Sequence, residues 1–200
     1  MFDDTYHTIK APSEGLYKEK GSKFLAFAFP VRTVDEVKAH LDRLRKDYFD
    51  ARHHCYAYIL GPNKDAYRLN DDGEPSGTAG RPIHGQLLSK DVTDTLIIVV
   101  RYFGGIKLGV SGLINAYKTA AKDALDNNTV VERFVEENYS VRFPPLGMNK
   151  VMQLLKRETV KITGQAYEAD CIIHFTVQKR DADNLLDALR KIDGATIEIV

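Results

Sequence analysis

The sequence predicts an α+β chain of two domains: a mixed strand-and-helix domain over residues 1–135, then a ferredoxin-like βαββαβ domain over 136–200. Three observations carry that expectation. Apolar residues switch repeatedly between steps of two and steps of three or four, so strands and helices alternate. Leu96 to Val100 is an unbroken aliphatic run, the mark of a strand covered on both faces. From about Glu137 six short pieces follow in the order strand, helix, strand, strand, helix, strand, which is the split βαβ arrangement.

The first 31 residues read as three strands, over 5–10, 15–19 and 22–31, with a turn at Gly21 and Ser22. Thr33 then caps a helix, because Val34, Val37, Leu41, Leu44 and Tyr48 recur at helical spacing and form one stripe. A strand over 54–60 stops at Gly61 and Pro62. The next stretch, Asn70-Asp-Asp-Gly-Glu-Pro-Ser-Gly-Thr-Ala-Gly80, holds three glycines and a proline in eleven residues and can only be a turn-rich loop. Arg81 and Pro82 open a short helix to about Lys90, and the strand over 96–100 follows. A second glycine loop, Phe103 to Gly112, leads into a long helix with Ser111 as its expected N-cap and Leu113, Ile114, Tyr117, Ala120, Ala121, Ala124 and Leu125 on its expected buried face. A strand over 129–135 closes the first domain. In the second domain Cys171, Ile173, Phe175 and Val177 alternate with Ile172, His174 and Thr176, as a sheet with one covered face requires.

Composition narrows the function classes. The 200 residues carry no formal net charge, and neither half has the basic excess of a general phosphate-backbone binder, so any nucleic-acid contact must be a local patch. Zero net charge eases self-association without specifying an oligomeric state. Two cysteines, Cys55 and Cys171, fall in different domains, which points to a reducing compartment rather than a disulfide framework. The longest apolar runs, 24–31 and 96–100, are far short of the ~20 residues of a membrane span. The first run follows Lys18, Glu19 and Lys20 and lacks a cleavage-like sequence, so no signal peptide and a cytoplasmic location are expected.

Two loops hold the residues that can do chemistry. In the loop from Phe103 to Gly112, four glycines in ten residues let backbone approach a ligand and adopt positive φ. It delivers amide N–H groups at a helix N-terminus, where the macrodipole favours an anion, with Lys107 inside the loop and Arg101 just before it. The spacing is not the Walker pattern, since Val110 follows Gly109. The same glycines also suit a tight strand-to-helix turn. The candidate anion or nucleic-acid site is therefore Arg101, Gly104, Gly105, Lys107, Gly109 and Ser111, with Arg81 from the neighbouring helix.

The other loop gathers Asp71, Asp72 and Glu74, which suit a Mg²⁺ ion, a general acid–base pair, a basic partner or simple turn capping. His53, His54 and Cys55 are adjacent on a strand and so point to opposite faces, and His84 adds no zinc-ligand spacing. Ser76 and Ser111 lack a Gly-x-Ser-x-Gly context, so no catalytic residue and no cofactor are expected. Tyr102, Phe103 and Tyr117 near the basic loop, like Tyr56 and Tyr58, are either core or a stacking platform for bases.

Two segments, Asp71-Asp-Gly-Glu-Pro-Ser-Gly-Thr-Ala-Gly-Arg-Pro82 and Val99-Val-Arg-Tyr-Phe-Gly-Gly-Ile-Lys-Leu-Gly109, resemble the signatures of the IMPACT family, in its bacterial YigZ-like branch. The resemblance covers roughly residues 15–130 and neither signature departs from the pattern. It implies an N-terminal α/β sandwich similar to the second domain of a small-subunit ribosomal protein, and a C-terminal domain similar to the ferredoxin-like domains of elongation factor G. It also implies a link to the regulation of translation, the role of eukaryotic relatives. The expected function is thus a translation-associated binding protein whose partners are RNA, the ribosome or a ribosome-bound factor, with no membrane involved. The alternative is a Mg-dependent enzyme acting on a small phosphorylated or carboxylated metabolite.

Overall fold

Residues 4–200 are described in the computed structural model of the protein. They form two units, 6–133 and 134–200, with Asp4 and Thr5 belonging to the second.

In the first unit the chain runs β1 (Thr5–Ile9), β2 (Ser13–Glu19), β3 (Ser22–Pro30), α1 (Val34–Asp47), β4 (His53–Leu60) and β5 (Ala66–Asn70). It continues with α2 (Gly80–Ser89), β6 (Thr95–Tyr102), α3 (Gly109–Asp126) and β7 (Val130–Phe134). Five strands make one antiparallel sheet in the order β2-β3-β6-β4-β5, while β1 and β7 pair separately. Central β6 is buried along nearly its whole length, because successive side chains point to opposite faces and both faces are covered. Leu96, Ile98 and Val100 pack with Phe27, Phe29, Leu41 and Leu44 on the α1 side. Ile97 and Val99 pack with Ala57, Leu113, Ala116 and Ala120 on the α2 and α3 side. The result is a helix–sheet–helix sandwich.

Small residues set how closely α3 lies on the sheet. Ala116, Ala120, Ala121 and Ala124 line its buried face, and Gly15 of β2 completes the approach: a Cβ there would sit 2.3 Å from the Ala124 nitrogen. Helix α1 begins as its sequence indicates, with Thr33 Oγ1 accepting the Glu36 amide at 3.2 Å. Helix α3 does not. It begins at Gly109, no side chain caps it, and Ser111 lies exposed within its first turn rather than at the cap. Ile114, expected on the buried face, is exposed because it falls outside the stripe of Leu113, Ala116, Tyr117 and Ala120 that packs on the sheet. Strand β5 is an addition to the expected elements; it is an exposed edge strand with almost no burial to impose an apolar rhythm.

The second unit carries β8 (Glu136–Phe143), a 3₁₀ turn over Pro145–Gly147, α4 (Met148–Leu155), β9 (Val160–Tyr167), β10 (Cys171–Gln178), α5 (Lys179–Arg190) and β11 (Thr196–Ile199). The sheet order is β11-β8-β10-β9 with every neighbour antiparallel, the strand order of a ferredoxin-like domain. Val141, Phe143, Ile173, Phe175, Leu185 and Leu189 form its own core. Cys55 and Cys171 are both buried and unbridged. No helix among the described residues is long and apolar enough to cross a membrane.

Candidate functional site

The register of three strands creates the site. Phe24 on β3 and His53 on β4 are both direct partners of Arg101 on β6, so the three side chains share the sheet face that α3 covers. Arg101 is only 5% exposed. Its guanidinium lies 5.4 Å from the Phe24 ring and 5.6 Å from the Phe103 ring. A charge this deep must be paired, and Glu74 supplies the pair: both carboxylate oxygens lie 2.8 Å from Arg101 Nη1. Arg101 Nη2 donates to Ser22 Oγ at 3.4 Å, but Nε is buried and has no partner.

His53 completes a three-residue polar floor. Its Nδ1 is 2.7 Å from the Asp72 carbonyl oxygen, which only accepts, so Nδ1 carries a proton. Its Nε2 is 3.0 Å from Glu74 Oε1. Behind this floor Cys55 Sγ lies 3.1 Å from the Asp71 carbonyl and 3.4 Å from the Tyr117 hydroxyl. Burial pushes both the Cys55 thiol and the Tyr117 phenol far above their ordinary ranges.

The acidic loop is held by its own carboxylates. Asp71 Oδ1 accepts the Ala79 and Gly80 amides at 3.2 and 2.8 Å, and Oδ2 accepts Gly77 at 2.9 Å. It therefore caps the start of α2 from eight or nine residues away. Asp72 Oδ2 accepts the His54 amide at 2.7 Å and is partly exposed. Asp71, Asp72 and Glu74 thus do not converge on one point, and no cluster of metal-ligating side chains occurs among the described residues.

Between the two loops lies a cleft of about 460 Å³. One wall is Arg52, His53, Glu74 and Pro75; the other is Phe103, Lys107, Leu108, Gly109, Val110 and Leu113, with Arg101 at the base. Lys107 and Arg52 are exposed and make no ion pair among the described residues. Gly109 and Val110 belong to the first turn of α3, which has neither a side-chain cap nor an acidic residue. The positive end of the helix dipole, with no side-chain cap, therefore lies at residues that line the cleft. The loop is pinned at Gly104, whose amide donates to Ser22 Oγ at 3.2 Å. A Cβ on Gly104 would lie 2.0 Å from the Gly21 carbonyl carbon, so only glycine fits.

Of the residues singled out in the sequence, Arg101, Lys107, Gly109 and Glu74 line the cleft. Gly104 and Gly105 shape the loop beside it, Gly105 at φ +90°. Ser111 and Arg81 are exposed on α3 and α2 and are not among the cleft walls. Asp71 and Asp72 act behind it. Tyr56, Tyr58 and Tyr117 are core, whereas Phe103 is 49% exposed. Arg52 is not among the residues singled out in the sequence, and His53 enters there only as a candidate metal ligand. The pairing of β4 with β6 brings His53 beside Arg101, and both line the cleft.

Comparison with known proteins adds the relatives. The sequence pattern of the Impact N-terminal domain matches residues 20–125. The chain is 40% identical over 129 residues to IMPACT family member YvyE of Bacillus subtilis, covering 64% of this chain and 59% of that protein. It is 34% identical over 161 residues to IMPACT family member YigZ of Escherichia coli, covering 80% and 79%. A crystal structure of an hypothetical protein superposes with a TM-score of 0.79 at 27% identity, covering all of this chain and 98% of the other.

Proposed function

The chain belongs to the IMPACT family, and from that premise we propose that it is a translation-associated binding protein. Its partner is RNA, the ribosome or a ribosome-bound factor, contacted in the cytoplasm through the glycine loop between β6 and α3. The observation that carries this reading is the cation-rimmed cleft, where exposed Lys107 stands beside the uncapped start of α3. Phosphate oxygens satisfy free helix amides and meet the positive end of the dipole at the same time. In a chain with no net charge, contact with a polyanion falls to a local group of cations such as this one.

The acidic loop supports this reading more than the enzymatic one. For a Mg²⁺-dependent enzyme, Asp71, Asp72 or Glu74 would have to hold the ion or act as a base. All three carboxylates are instead committed to backbone amides or to Arg101 and His53.

Co-sedimentation with purified ribosomes tests the proposal, comparing wild type with Lys107→Ala at low and moderate salt. The expected result is binding that weakens steeply with salt and is largely lost in the variant. A protein that stays in the supernatant at both salt concentrations contradicts it.

A further inference from the structure

The cleft has features that a bare phosphate clamp does not need. A phosphate is served by the α3 amides and Lys107 alone, which lie at the mouth. Below them the cleft continues past the half-exposed ring of Phe103 and the side chains of Leu108 and Leu113, down to Arg101. Arg101 Nε is a buried donor without an acceptor, in a guanidinium whose other nitrogens are engaged. A half-exposed aromatic ring beside an apolar wall, with cationic side chains at the rim, is the chemistry of a site for a molecule with a planar body and an anionic group. About 460 Å³ falls within the range of small-ligand sites and cannot admit a double helix.

We infer that the cleft seats one unpaired nucleotide, its phosphate at the start of α3 beside Lys107 and its base against Phe103. This rests on the RNA-binding reading above and sharpens it: the ligand is a nucleotide unit from single-stranded RNA, not the backbone of a duplex. Phe103 provides the π-face, and its ring is already stacked near a cation that strengthens such contacts. Because stacking is tolerant of base identity, modest preference among the four bases is expected.

Calorimetric titration of the full chain tests this with four probes: adenosine 5′-monophosphate, adenosine, inorganic phosphate, and a ten-nucleotide RNA offered single-stranded or fully paired. The monophosphate is expected to bind at least about tenfold more tightly than either adenosine or phosphate. The single strand should bind more tightly than the duplex. Phe103→Ala, at a half-exposed position, should keep its thermal midpoint while losing about tenfold in affinity for the monophosphate and the single strand, as expected for one stacked base. Equal affinity for phosphate and monophosphate, or equal binding of single strand and duplex, overturns the inference, as does an unaffected Phe103→Ala. If RNA binds through Lys107 but Phe103 is irrelevant, the nucleotide site fails and the phosphate reading survives. If the free monophosphate binds through Phe103 and neither RNA form binds, the RNA reading fails instead, and the cleft is a site for the free nucleotide.

Discussion

Glu74 takes hydrogen bonds on both carboxylate oxygens from Arg101 and faces His53 on its other side, all three largely removed from water. Such a pair need not stabilise the fold relative to apolar residues, because desolvating both charges offsets their attraction. Breaking it is different, since one buried charge is left alone. Glu74→Ala is expected to lower stability by about 3–5 kcal/mol in urea unfolding. Adding Arg101→Met should recover most of that loss by removing the orphaned charge. A single variant that unfolds like wild type would show that Arg101 has another partner. The same residues show why the site was only partly legible in the sequence. Lys107 and the glycines could be read because they are consecutive and of telling types. His53, Glu74 and Arg101 lie 21 and 27 positions apart, and only the alignment of β4 with β6 and the return of the acidic loop bring them together.

At the level of elements, the acidic loop is a capping device. Asp71 accepts three backbone amides of the segment entering α2, and α2 has no cap at its own preceding residue, Ala79. Asp71→Ala is expected to cost about 1–2 kcal/mol, within the range for loss of a helix cap, measured by denaturant unfolding at constant m-value. A change below about 0.5 kcal/mol would place the cap elsewhere. Carboxylate-rich sequence therefore signalled turn chemistry here, one of the readings it allowed. Helix boundaries were legible where the cap is local, as at Thr33. They were not where the cap is remote or missing: at α3 the glycine at 109 with φ +73° starts the helix two residues before Ser111. Strand β5 escaped detection for a related reason. Its residues are mostly exposed at the sheet edge, and without burial no alternation is imposed on them.

For the whole molecule, periodicity was a sufficient guide to layers. The continuous run in β6 marked the strand at the centre of a sandwich, and the final six elements assemble in the β11-β8-β10-β9 order of a ferredoxin-like domain. On the proposed reading, a chain without net charge concentrates its affinity for a polyanion in a few groups. The measurement that tests this most directly is the salt dependence of binding to a fluorescent single-stranded RNA, for wild type and Lys107→Ala. Each phosphate contact releases counterions and adds to the slope of log affinity against log salt. Removing Lys107 should lower affinity and reduce that slope by about one. Identical slopes and affinities for the two proteins would contradict a phosphate site at the glycine loop.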